Sequence, residues 1–127
     1  YVGQFGSFGQ GPGELNIPWG IGLDKDGNVF VADWRNDRIQ SFTSDGKWLA
    51  SFGKPGTGGD ATNMRRNGGM RVLDAPVGTF NRPTGVAVDK DGDIYVADWQ
   101  NQRVQVLSPD GRFVAQMGGD EEDRVWG

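Results

Sequence analysis

The chain has 127 residues, of which 22 are Gly, and 13 basic against 17 acidic side chains give a net charge of −4. His and Cys are both absent, which removes imidazole and thiolate as metal ligands, the usual general base, and any disulfide. No apolar run approaches the ~20 residues of a membrane-spanning helix, and the acidic balance argues against a generic nucleic-acid binder, whose face is usually basic.

Taken in chain order, the first element is the short apolar segment YVGQFG at residues 1–6. Four stretches of four or five residues follow, at 20–23, 29–32, 38–42 and 48–52. They are rich in β-branched and aromatic residues and carry no i, i+3, i+4 pattern, so they predict strands. Asp26-Gly27 and Asp45-Gly46 separate them. Such pairs mark hairpins, because Gly accepts a positive φ and the Asp side chain bonds its own backbone. A Gly-rich segment, KPGTGGDATNMRRNGGMRVLDAP, then fills 54–76. The same four-strand pattern returns, with Asp91-Gly92 and Asp110-Gly111 as its turns, and the chain runs out through GGDEEDRVWG.

The return is a repeat. Residues 13–53 align without gaps to 78–118 at a constant offset of 65, with 19 identities in 41 positions. Residues 1–6 match the ends of both copies, WLASFG at 48–53 and FVAQMG at 113–118. Four antiparallel strands in about 40 residues describe a β-propeller blade. The reading is therefore all-β: two four-stranded blades plus one outer strand of a preceding blade. The expected divisions are that strand at 1–6, a first blade with its lead-in at 7–53, an inserted connector at 54–77, a second blade at 78–118, and the start of another connector at 119–127.

The fixed positions P-x-G-(I/V)-x-(L/V)-D-x-x-G-(N/D)-(V/I)-(F/Y)-V-A-D-x-x-N-x-R-(I/V)-Q resemble the NHL repeat. The resemblance implies an NHL-type propeller, a fold that serves many activities, and points toward an extracytoplasmic or cell-envelope location. Propellers close with 4–8 blades, so nine strands predict either a slice of a longer propeller or, less favoured, a ring closed by several copies.

DKDGN at 24–28 and DKDGD at 89–93 hold clustered carboxylates, but Gly stands fourth rather than sixth and no Glu follows as a calcium loop requires. They read as turns, and no metal site or cofactor is expected. VADWRNDR and VADWQNQR link the second and third strands. Asp33 and Asp98 are expected to cap those turns, Asn36 and Asn101 to take the left-handed conformation, and Arg38 and Arg103 to reach the preceding carboxylates. Ile21, Val31, Val86, Ile94 and Val96 are expected to lie buried between blades.

The expected binding surface is the face that carries these loops and the blade-to-blade connector. It brings together Trp34, Arg35, Trp99 and Gln100 with Met64, Arg65, Arg66, Met70 and Arg71 of the insertion. Exposed Trp and Arg are common interface anchors. No nucleophile with an adjacent base, phosphate loop or nucleotide fingerprint is present, and no catalytic residue is assigned. The function expected is a non-catalytic protein-interaction or scaffold module with protein partners and no nucleic acid. The alternative is a fragment of a lyase- or lactonase-like propeller enzyme whose catalytic residues lie in other blades.

Overall fold

The structure is a computed structural model that describes residues 3–53 and 78–118. The insertion, with Met64, Arg65, Arg66, Met70 and Arg71, lies outside the described residues, as do residues 1–2 and 119–127.

Two four-stranded antiparallel sheets account for nearly all of it. In the first, β3 (Pro18–Leu23), β4 (Val29–Asp33), β5 (Arg38–Phe42) and β6 (Trp48–Phe52) stand in sequence order. The second repeats this with β7 (Pro83–Val88), β8 (Ile94–Asp98), β9 (Arg103–Leu107) and β10 (Phe113–Gly118). The lead-in adds a two-residue parallel pair, β1 (Ser7–Phe8) on β2 (Glu14–Leu15). Both first strands begin two residues before the start expected from the apolar run, at the Pro of P-x-G. Proline's missing N–H is harmless there, at the first residue of a strand.

The turns follow the sequence chemistry. Asp24 Oδ1 accepts the N–H groups of Asp26 and Asn28, both at 2.9 Å. Asp89 does the same for Asp91 and Asp93 at 2.9 and 3.0 Å. In the outer hairpins Thr43 bonds Asp45 and Ser108 bonds Asp110.

Register decides which side chains share a face. Ile21 pairs with Val31, and Val31 with Gln40, so these three point one way while Phe30, Ala32 and Ile39 point the other. The core forms where the two sheets meet. Phe30, Ala32 and Ile39 of the first sheet pack on Val86, Ile94, Val96 and Leu107 of the second and on Phe80 before it. The inner strands come closest: a Cβ at Gly22 would lie 2.5 Å from the Val86 carbonyl oxygen, so only glycine fits.

One core residue departs from expectation. Val31, Val86, Ile94 and Val96 are buried, but Ile21 is 67% exposed. It faces away from the second sheet. The lead-in departs in detail too. Gly3–Gly6, expected as an outer strand, carries no strand pairing of its own. The Phe5 ring lies 4.9 Å from that of Phe42 and covers the Gly46 turn, as Phe52 covers the Gly111 turn.

Candidate functional site

Both loops between the second and third strands are single 3-10 turns, Trp34–Asn36 and Trp99–Asn101. Each rests on a hydrogen-bonded carboxylate. Asp33 accepts from the Asn16 N–H (2.8 Å), Asn36 Nδ2 (2.9 Å) and Arg38 Nε (2.8 Å). Asp98 accepts from the Asn81 N–H (2.7 Å), Asn101 Nδ2 (3.0 Å) and Arg103 Nε (2.7 Å). Neither Asp bonds an N–H of its own turn. The left-handed residue is Asp37 or Gln102, at φ 56° in each, one position after the Asn expected there. The Asn side chains are spent on the carboxylates instead.

Gln40 and Gln105 complete each network. Gln105 Nε2 donates to the Thr79 carbonyl (2.8 Å) and its Oε1 accepts the Gly78 N–H (2.7 Å). Gln40 makes the equivalent bonds with Glu14 and Gly13. Sequence reasoning passed over both as site residues, although the fixed Gln after R-(I/V) was a visible signal. Burial pushes the Asp98 carboxyl upward, while its bonds from Asn81, Asn101 and Arg103 pull the other way. A buried carboxylate with this many donors is scaffold: it fixes the loop from beneath and keeps the Trp on top.

On that scaffold lies a row of indoles. The Trp19 and Trp34 rings are 5.3 Å apart between centroids, and Trp34 and Trp99 are 6.5 Å apart across the blade boundary. Trp19 is 60% and Trp99 53% exposed. Arg82 lies over Trp34, its guanidinium carbon 5.2 Å from the ring centroid. Arg82 Nη1 is held by both Asp37 oxygens at 3.1 Å and by the Arg35 carbonyl at 3.2 Å. Trp34 Nε1 is buried with no hydrogen-bond partner among the described residues. Arg35 and Gln100 are exposed beside the row.

The site therefore differs in membership from the expectation. Trp34 and Trp99 are brought together, and Trp19, Asp37 and Arg82 join them. Trp19 occupies the unfixed x of P-x-G, where the second copy has Thr84. Only the antiparallel return of β3 beside β4 places it next to Trp34. Among the described residues no group of three or more acidic side chains is placed to hold a metal ion.

Two antiparallel four-stranded sheets stacked through a shared core, with loops gathered at one end, define a β-propeller segment. The NHL repeat family model matches residues 15–42 and 80–107, one stretch in each of the two repeats.

The chain is 50% identical over 46 residues to protein lin-41 of Caenorhabditis elegans, covering 36% of this chain and 4% of that protein. It is 27% identical to protein brain tumor of Drosophila melanogaster, covering 93% of this chain and 14% of that one. With human NHL repeat-containing protein 3 the identity is 29%, covering 89% of this chain and 41% of that one. The chain thus spans less than half of each of these relatives. Among solved structures, a streptogramin B lyase superposes with a TM-score of 0.51 at 19% identity, covering 79% of this chain and 26% of that one. Hydrazine synthase of Kuenenia stuttgartiensis gives 0.53 at 14%, covering 87% and 26%. At these identities the likeness is one of fold.

Proposed function

We propose that this chain is a non-catalytic protein-interaction or scaffold module within a larger propeller or assembly, and that the face bearing Trp19, Trp34 and Trp99 contacts a protein partner. The observation that carries this is the indole row itself. Trp19 and Trp99 expose more than half their surface on either side of Trp34, and the turns that carry Trp34 and Trp99 rest on buried hydrogen-bond networks that hold them rigid. Such preorganised aromatic area is what interface hot spots are made of. Arg35 adds an exposed cation at the rim, and the net charge of −4 favours a protein over a nucleic-acid partner. In the insertion, Arg65, Arg66 and Arg71 suit an acidic patch on the partner, and Met64 and Met70 suit an irregular apolar surface.

The test is site-specific photocrosslinking from position 35 in the full natural protein, followed by identification of the captured chain. Capture is expected to fall about tenfold in Trp19→Ala and Trp99→Ala, the size of a moderate hot spot, with unchanged circular dichroism. It should also fall in the triple variant Arg65→Ala, Arg66→Ala, Arg71→Ala. Equal capture in all three variants would leave this face without a partner and the proposal refuted.

A further inference from the structure

Arg82 is held in place by only part of its guanidinium. Nη1 donates to both Asp37 oxygens at 3.1 Å and to the Arg35 carbonyl at 3.2 Å. The guanidinium carbon lies 5.2 Å from the centroid of the Trp34 ring, and the backbone N–H donates to Asp37 Oδ1 at 2.6 Å. Among the described residues neither Nε nor Nη2 has a partner, and 28% of the side chain is exposed. Nε and Nη2 form the edge whose N–H groups match the two oxygens of a carboxylate.

The surroundings offer positive charge and unspent donors. Both Asp37 oxygens are taken by Arg82, and Asp33 and Asp98 are each paired with their own arginine. Arg35 is exposed, and its guanidinium has no hydrogen bond or ion pair among the described residues. Arg35, Arg82 and Asp37 together therefore leave one positive charge beside the indoles, in a chain whose net charge is −4.

We infer that the Nε–Nη2 edge of Arg82 receives a carboxylate of the protein partner, an Asp or Glu side chain whose apolar neighbours lie on Trp19 and Trp99. The inference rests on the proposed role of the indole row and names the chemistry read there. A guanidinium stacked on an indole and clamped at one nitrogen has little freedom left to lose on binding, so its fork is preorganised. Trp19 and Trp99, 60% and 53% exposed on either side of Trp34, supply apolar surface that shields the pair from water and so strengthens it. A phosphate fits less well. It carries close to two negative charges and is met by clusters of arginines, whereas one net positive charge stands here, and the chain's overall charge repels a polyanion.

The test is fluorescence polarisation on the full natural protein with two labelled peptides, Gly-Ser-Phe-Asp-Phe-Ser-Gly and the same peptide with Asn in place of Asp. The Asp peptide is expected to bind about tenfold more tightly, the size of one charge-assisted pair. That preference is expected to fall to about twofold in Arg82→Gln, and by about a factor of three in Arg35→Gln. Trp99→Ala should weaken both peptides alike and keep the preference, because it removes apolar area alone. Arg82→Lys keeps a cation at this position but lacks the fork, so the preference is expected to drop there even if Arg82→Gln disturbs the contact between blades. Equal affinity for the two peptides, or an undiminished preference in Arg82→Lys, overturns the inference and leaves the protein-binding role of the indole row standing. Displacement of the Asp peptide by a short uridylate oligonucleotide would make phosphate the ligand and overturns it as well. Binding of neither peptide at about millimolar protein also overturns it, and the capture from position 35 then decides the indole row on its own.

Discussion

Ile21 and Val86 hold the same place in two copies of one motif, pair with the same neighbour (Val31 or Val96), and face the same way. One is 67% exposed and the other 9%. Leu15 and Phe80 differ likewise, half-buried against fully buried. Nothing in either side chain accounts for this. The second blade has a sheet stacked on that face; among the described residues the first has only Phe5 and its short lead-in. In a stacked repeat, burial belongs to the interface rather than to the residue, which is why stability sums over neighbours.

The contrast sets the order of expected effects. Asp98 and Arg103 are both fully buried, so Asp98→Ala strands a charged guanidinium and should cost about 3–5 kcal/mol in urea unfolding. The matching Asp33→Ala should cost less, because Arg38 keeps 14% of its side chain in solvent. Equal losses would mean that solvent access at Arg38 is irrelevant. Next come the aliphatic truncations. Ile94→Ala, at full burial, should cost about 2–4 kcal/mol. Ile21→Ala should approach that figure only where another sheet covers the first blade, and otherwise stay within about 1 kcal/mol.

Arg82→Ala removes the contact between blades that is ionic and cation–π at once. Its side chain is 28% exposed and that of Asp37 14%, so screening limits the loss to about 0.5–1.5 kcal/mol. A double-mutant cycle with Asp37→Ala isolates the pair; a coupling near zero would make the bridge incidental.

The smallest effect is in pH. Desolvation pushes Asp89 up, but the N–H groups of Asp93, Asp91 and Gly92 and the Tyr95 hydroxyl outweigh it, and the carboxyl sits below 3.8. Asp24 is lowered in the same manner through Asn28, Asp26 and Gly27. Their stabilisation is complete above 3.8 and is lost as pH falls through the lower folded values. Asp98, raised by burial, has the opposite sign: its share is complete below 3.8 and is lost as pH rises through the raised value. Tm between about pH 2 and 5 should therefore fall less steeply in Asp89→Asn. An unchanged acid limb would show that the turn bonds persist in the unfolded chain.

The repeat, the eight strands of the two sheets, their antiparallel order and the Asp-Gly turns were legible because each depends on contacts within a few residues: period-two alternation, φ at Gly, and an Asp reaching two residues along. Val31, Ile94 and Val96 could be placed in the core for the same reason. Ile21 could not, since alternation tells which face a side chain takes but not whether anything covers it. The left-handed residue after each Trp turn was misplaced by one position. Asn36 and Asn101 tolerate that conformation, but their amides are claimed by Asp33 and Asp98, and that competition is tertiary. Trp19 and Arg82 entered the indole row by the same route. Residues 19 and 34 are 15 apart in sequence, and 34 and 82 are 48 apart; strand return and blade stacking bring them within a ring's width. The sequence by itself determined the blade, because a blade is closed by local pairing. Only the tertiary structure decided the site, because it exists where one blade meets the next.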